Sequence, residues 1–178
     1  MHFVDAAHFV QSNFLGWIWS AVRMFIKAAS GRQRYNVLGA FNAITLELTT
    51  VTNDTYVTAT TVCDLLRKIA TRGVKIPITL VMDNARYQHC HLVQNFAKEL
   101  GIELLFLPSY SPNLNLIERL WKFVKKSVLN SRHQCSFAEF RKAIDECLNQ
   151  LGVTHRPAME KLMTLNFQTF ENVSMLVA

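Results

Sequence analysis

The sequence predicts an α/β fold: a mixed five-stranded sheet with helices on both faces. Three observations carry it. Two Thr/Val-rich, strand-like runs, residues 35–41 and 45–52, flank Asn42-Ala43, a hairpin turn signal. The continuous apolar run 78–82 has the composition of a central strand buried on both faces, and 102–107 reads as another strand. Segments of helical periodicity follow each of those runs. The element order is strand, strand, strand, helix, strand, helix, strand, helix, helix, and such alternation implies helices packed on both sides of the sheet.

Each element has its own warrant. Residues 2–4 form a short apolar run that ends at Asp5 and reads as the first strand. Residues 14–29 fit either a helix or an irregular arm. Residues 58–71 read as a helix because Val62, Leu65, Leu66 and Ile69 recur at helical spacing, and Gly73 ends it. Residues 88–100 are helical, with Gly101 as the C-terminal stop. Pro108-Ser109-Tyr110-Ser111-Pro112 is a stiff loop before a helix from about 116 to 128. Ser136 opens another helix, to 151, with Glu139 three residues on completing a capping box. The tail from Pro157 is expected to be helical in part and to pack on the domain, giving a main unit of 1–155 and an appended tail of 156–178.

Composition narrows the function classes. With 178 residues, half of them hydrophobic and 18% charged, the chain suits one packed domain and not a disordered segment. The net charge of +6 is focused: between Glu118 and Lys142 there are seven basic residues and two acids. Such a basic stretch fits an anionic partner or a solvated helix face. The four cysteines, Cys63, Cys90, Cys135 and Cys147, form no CxxC pair, which argues against zinc-ribbon and redox spacings and fits reduced, buried thiols in a cytoplasmic protein. The apolar stretch 14–22 stops at Arg23, short of the ~20 residues a membrane span needs, so no membrane partner is expected.

Three carboxylates stand out. Asp83 follows the buried run 78–82, and Asp5 follows the first strand. In open α/β sheets functional groups collect at the carboxyl ends of strands. Adjacent parallel strands would bring the two together, raising a pKa unless a cation sits between them. Hard oxygen donors of this kind select Mg²⁺ or Mn²⁺. Glu118 is the third. On a helical wheel Ile117, Leu120, Trp121, Val124 and Val128 form the core stripe, and Glu118 lies at its edge beside Lys122 and Lys125. Near a metal, that flank suits a phosphate backbone. Each carboxylate also has a structural explanation. Asp83 suits an N-cap of the next helix, and Asp5 a solvated residue near a chain end. Glu118 suits the third position of a capping box opened by Asn115, or an i,i+4 pair with Lys122. Other chemistries are missing from the sequence: the six glycines are too scattered for a phosphate-cradling loop, and there is no GxSxG or HExxH. His89-Cys90-His91 reads as surface plus core, since residues two apart do not share a helix face.

Asp83-Asn84-Ala85 and then Leu107-Pro108-Ser109-Tyr110-Ser111-Pro112-Asn113-Leu114-Asn115 leading to Glu118 resemble the catalytic domain of the mariner-type (DDE) transposase superfamily, in its bacterial insertion-sequence branch. That family carries an Asp, Asp, Glu triad with 34 residues between the last two, and 34 residues separate Asp83 from Glu118 here. Asp5, in Val4-Asp5-Ala6-Ala7-His8-Phe9, fits the first position, expected to end the first strand. Many relatives have Pro where this chain has Leu116, a position that tolerates either.

The resemblance covers about residues 3–151. It implies a ribonuclease-H-like fold and a cut-and-paste DNA transposase. Two Mg²⁺ ions, for which Mn²⁺ can substitute, would be held by Asp5, Asp83 and Glu118. One would activate the attacking water or 3′-hydroxyl and the other stabilise the leaving oxygen. Arg119, Lys122, Lys125 and Lys126 are the candidate DNA-contacting residues. The implied partners are transposon-end and target DNA, with a homodimer assembled on the DNA, in a cytoplasmic, nucleoid-associated setting. The family usually carries helix-turn-helix modules upstream. Only four residues precede Asp5, so that domain is expected to be absent. Two alternatives share the fold: a structure-selective nuclease, and a catalytically silent DNA-binding remnant.

Overall fold

A computed structural model describes residues 1–11, 21–22, 33–73, 77–108, 111–130 and 134–167. Most of the ambiguous stretch 14–29 lies outside these residues. Five strands make one sheet: β1 (His2–Val10), β2 (Arg34–Asn42), β3 (Leu48–Asn53), β4 (Ile78–Met82) and β5 (Ile102–Phe106). Their order is β3-β2-β1-β4-β5. β1 pairs antiparallel with β2 and parallel with β4, β2 pairs antiparallel with β3, and β4 pairs parallel with β5. The sheet is therefore mixed, as expected.

Five α-helices accompany it: α1 (Ala59–Ala70), α2 (His91–Glu99), α3 (Ile117–Val128), α4 (Phe137–Asn149) and α5 (Arg156–Leu162). They divide between the two faces according to strand alternation. Val4, Leu38, Ala40, Leu80 and Met82 pack with Val62, Leu65, Leu66 and Ile69 of α1 and Val93 and Ala97 of α2. Phe3, Ala7, Phe9, Val37, Phe41 and Val81 point the other way, toward Ile117, Leu120, Trp121 and Val124 of α3, Ile144 of α4 and Met159 of α5. Asp5 shares the parity of Phe3 and Ala7, and Asp83 shares that of Val81. Both therefore belong to the face that α3 covers.

Several boundaries differ from the sequence expectation, each for a physical reason. β1 does not end at Asp5 but continues to Val10, pairing with β2 as far as Val10↔Arg34. Asp5 and His8 interrupt its apolar pattern and hide the strand; the His8 ring Nδ1 lies 2.7 Å from Oδ1 of its cross-strand partner Asn36. The β2–β3 turn is longer than Asn42-Ala43. Asn42 Oδ1 accepts from the Ile44 and Thr45 amides at 2.9 and 3.1 Å, and Leu46 takes a positive φ of 60°. α2 starts at His91, not 88, because the Gln88 and His89 amides both donate to Ala85 O at 2.9 Å in a preceding turn. Gly101, at φ 65°, ends α2 in the left-handed conformation foreseen for it. The Ser136 cap forms as expected, its Oγ accepting from the Glu139 amide at 3.2 Å. Cys63 and Cys147 are buried, but Cys90 is half-buried and Cys135 exposed, so burial of all four thiols does not hold. Among the described residues no helix is long and apolar enough to cross a membrane.

Candidate active site

Register brings Asp5 and Asp83 together. The parallel pairing of β1 with β4 runs His2↔Leu80, Phe3↔Val81, Val4↔Met82 and stops there. The next residues are Asp5 and Asp83. β1 runs on, paired to β2 alone, while the chain after β4 turns away. A notch opens where the two strands part, beside the central strand and under α3. Asp5 is thus at the end of the β1–β4 ladder although it lies inside its own strand. The connection after β5 begins by extending the sheet, as the Leu107 amide donates to Met82 O at 2.8 Å. A 3₁₀ turn, Pro112–Leu114, then delivers the chain to α3.

α3 supplies the third carboxylate. Its buried stripe is Ile117, Leu120, Trp121, Val124 and Val128, the stripe read from the sequence. Glu118 stands at the edge, and with Asp5, Trp121, Lys122 and Lys125 it lines a cavity of about 280 Å³ whose wall also includes Ala6, Ala7 and His8. Asp83 stands outside that lining, held from the side by Asn115.

The structural explanations for Asp83 and Glu118 do not survive. Asp83 caps no helix: α2 begins eight residues later, with Cys90 at its N-cap. Asn115 does not form a capping box with Glu118. The residue before α3 is Leu116, with no side-chain cap bond, and only the Asn115 carbonyl accepts from the Glu118 amide, at 3.2 Å. The Asn115 side chain is 1% exposed and turned into the sheet, donating from Nδ2 to Val4 O at 3.1 Å and to Asp83 Oδ1 at 3.0 Å. No ion pair joins Glu118 to Lys122 among the described residues.

The electrostatics follow from that crowding. Burial pushes the Asp5 carboxyl up to about 7. The charges of Asp83 and Glu118 add to the rise, and the Ala6 amide opposes it. Glu118 is raised by burial and by Asp83, with Lys122 and Lys125 pulling it back. Burial, then the charges of Asp5 and Asp83, pushes the Tyr87 phenol up to about 12, so it too borders the site. The buried Trp121 indole N–H favours the ionised form of Asp5, but falls short of hydrogen-bond geometry and has no partner among the described residues. A buried donor without a partner costs about 1–3 kcal/mol.

Gly39 makes room for that indole. It is the β2 partner of Asp5, and a Cβ there would lie 2.8 Å from Trp121 Cη2 and 2.9 Å from Cζ2. Tyr87, Trp121 and Gly39 were not singled out for the site from sequence. The only available signal was a glycine inside a strand, which marks close approach.

The basic flank divides. Lys122, Lys125 and Lys126 are exposed, the first two in the cavity wall. Arg119 is committed to the chain's own backbone. Its guanidinium donates to Leu162 O at 3.0 Å, Thr164 O at 2.8 Å and Asn166 O at 2.6 Å, and lies 5.9 Å from the Phe167 ring centroid. It straps the segment after α5 onto α3.

Three hard carboxylates, two of them raised by burial and mutual crowding, make a donor set suited to a divalent cation. Among the described residues no three His, Cys, Asp or Glu side chains converge closely enough to form a ready-made ion cage. Anions without a cation between them repel, and each pair here remains within electrostatic reach.

Comparison with known proteins agrees with this architecture. The chain is 30% identical over 105 residues to an insertion element IS630 uncharacterized 39 kDa protein from Shigella sonnei, over 58% of this chain and 30% of that protein. It thus spans about a third of that relative's length. Among solved structures it is similar to the Mos1 transposase paired-end complex with left transposon end (TM-score 0.60, 15% identity, 94% of this chain and 55% of that one). It is also similar to the HTLV-2 integrase catalytic core domain in complex with magnesium (TM-score 0.57, 12% identity, 85% of this chain and 84% of that one). At these identities the structures speak to the fold, which is ribonuclease-H-like as the sequence implied. The model of the DDE superfamily endonuclease family matches residues 1–141, and the chain belongs to that family.

Proposed function

We propose that this chain is the catalytic domain of a cut-and-paste DNA transposase, cleaving phosphodiesters at transposon ends and joining them to target DNA with Asp5, Asp83 and Glu118. One observation supports the reading: three carboxylates, from β1, the end of β4 and the start of α3, lie within electrostatic reach of one another beside a cavity whose wall bears Lys122 and Lys125.

Asp5, Asp83 and Glu118 would hold Mg²⁺ or Mn²⁺, two ions in all. When bound, such ions polarise the phosphodiester and lower the pKa of the attacking hydroxyl. The chain's own part is separable. Asp5, its carboxyl pushed up to about 7 by burial, holds a proton in part near neutrality and would have to give it up to bind a cation. Lys122 and Lys125 offer positive charge to a phosphate backbone beside the carboxylates. Trp121 roofs Asp5 with apolar surface, keeps bulk water off it and strengthens the local electrostatics. Arg119 is left out of the DNA-contacting set because its guanidinium is already bonded to three carbonyls. Lys126 stays in the set as an outer contact. The family model and the resemblance of the fold to transposase and integrase cores support the reading. Pairing of two copies on DNA belongs to the same proposal.

The test is Asp83→Ala in an assay of Mg²⁺-dependent cleavage of supercoiled or end-bearing DNA. Loss of a metal-holding carboxylate removes several kcal/mol of transition-state stabilisation, so the rate should fall about a thousandfold or more. Asp83 makes only the Asn115 hydrogen bond among the described residues, so the melting temperature should move little. Undiminished cleavage by the variant would sink the proposal. Cleavage of branched DNA without strand transfer would point to a structure-selective nuclease, and salt-sensitive DNA binding with no turnover to a silent module.

A further inference from the structure

We infer that Asn115 is a positioning residue that sets the spacing of the three carboxylates through one side-chain amide. The inference rests on the metal-dependent reading of Asp5, Asp83 and Glu118 and deepens it.

Asn115 is 1% exposed, and both hydrogens of its Nδ2 are used. One goes to the carbonyl of Val4, the residue before Asp5, at 3.1 Å; the other goes to Asp83 Oδ1 at 3.0 Å. The amide orientation is forced. A peptide carbonyl and an ionised carboxylate only accept, so the NH₂ group and not the oxygen must face them. The third connection is covalent: Asn115 stands three residues before Glu118, and its carbonyl accepts from the Glu118 amide at 3.2 Å. One side chain thus joins the peptide before Asp5, the carboxylate of Asp83 and the first turn of α3.

The geometry separates this from ordinary packing. The Asn115 Oδ1 is buried and, among the described residues, has no hydrogen-bond partner. The bond to Asp83 takes one carboxylate oxygen and, among the described residues, leaves the other without a hydrogen bond. That fixes which way the carboxylate turns, and groups that orient a metal-holding side chain typically change metal affinity by about 10–100-fold when removed.

The experiment counts free Mn²⁺ by electron paramagnetic resonance during titration of the whole chain, wild type against Asn115→Leu, with thermal melting of both metal-free proteins alongside. Leu removes both donors and the unpaired acceptor at similar volume. The inference predicts melting temperatures within a few degrees of each other and Mn²⁺ binding weaker by about tenfold or more in the variant. Should Asn115→Leu fail to fold, Asn115→Ser, which is smaller and keeps one donor, carries the same comparison and should weaken binding less. Wild-type Mn²⁺ affinity in a folded variant would overturn the role given to Asn115. Absence of Mn²⁺ binding in the wild type would overturn the metal reading beneath it, a distinct result.

Discussion

Gly39 tests how tightly the face of the sheet under α3 is packed. An added Cβ would stand 2.8 and 2.9 Å from two Trp121 ring carbons, closer than such atoms approach in practice, and a tight 3.2 Å from Ile117 Cδ1. Trp121 cannot easily yield. It is 4% exposed and lies edge-on to Phe9, and Ile117, Leu120 and Val124 beside it are fully buried. Overpacking a well-filled core costs about 1–3 kcal/mol. Replacing a strand glycine returns about 0.5–1 kcal/mol through the unfolded state. Gly39→Ala therefore comes out near the balance point, with roughly 1 kcal/mol of net destabilisation. Gly39→Val drives two more methyl groups at the same ring and should reach the upper end, about 2 kcal/mol net. For a chain of this size that is a fall of roughly 4–8 °C in melting temperature. Because Glu118 and Trp121 ride on the same helix, DNA cleavage should fall further than the folded fraction does. The assay is a pair of melting curves with cleavage measured well below both midpoints. If Gly39→Val melts with the wild type and cleaves at its rate, the close approach of Trp121 to the strand is wrong, and with it the roofing of Asp5.

Other consequences are equally direct. Asp5 has its carboxyl raised to about 7 in the folded chain against an ordinary value of 3.8. The folded state therefore holds the proton more tightly, so this group's stabilisation is complete below about pH 4 and is lost as pH rises through 7. Without divalent metal, Asp5→Asn should gain stability relative to wild type by up to about 1.4 kcal/mol per pH unit across that window. Urea titrations from pH 4 to 8 measure it, and a constant difference would contradict it. Replacing Lys122 and Lys125 with Ala should weaken DNA binding and flatten the slope of log affinity against log salt by about 0.9 for each phosphate no longer neutralised. An unchanged slope would mean that both are merely solvated. Arg119→Ala should leave that slope alone, lower stability by about 1–2 kcal/mol and open the chain after Leu162 to protease, since its three hydrogen bonds to backbone carbonyls go with it.

What the sequence revealed depended on how local each feature is. β4 was legible because a strand inside the sheet is a continuous apolar run, β5 because its short apolar stretch follows a glycine stop, and α3 because its stripe repeats at helical spacing. β1 was cut short because Asp5 and His8 break its pattern: a carboxylate inside a strand looks like the strand's end. The relation of Asp83 to Glu118 came through the family motif. Asn115 entered only as the cap in the structural alternative for Glu118, since Asn three residues before Glu is a familiar local pattern. Its actual partners, Val4 and Asp83, are 111 and 32 residues away in the chain. No local rule reaches that far. Trp121 belonged to the core stripe on any wheel, and only the register of β1 on β2 shows that it crosses Gly39 beside Asp5. Arg119 looked like its lysine neighbours, and only the segment after α5, lying against it, sets it apart.

The central claim is that Asp5, Asp83 and Glu118 form one metal-dependent site. A crystal of the chain soaked in Mn²⁺ and read by anomalous scattering tests it most directly. The expected result is a peak coordinated by Asp5 and Asp83 with Glu118 facing it, even if only one ion binds in the absence of DNA. No peak at that notch, with Glu118 folded back onto the Asn115 backbone as a helix cap, would contradict it.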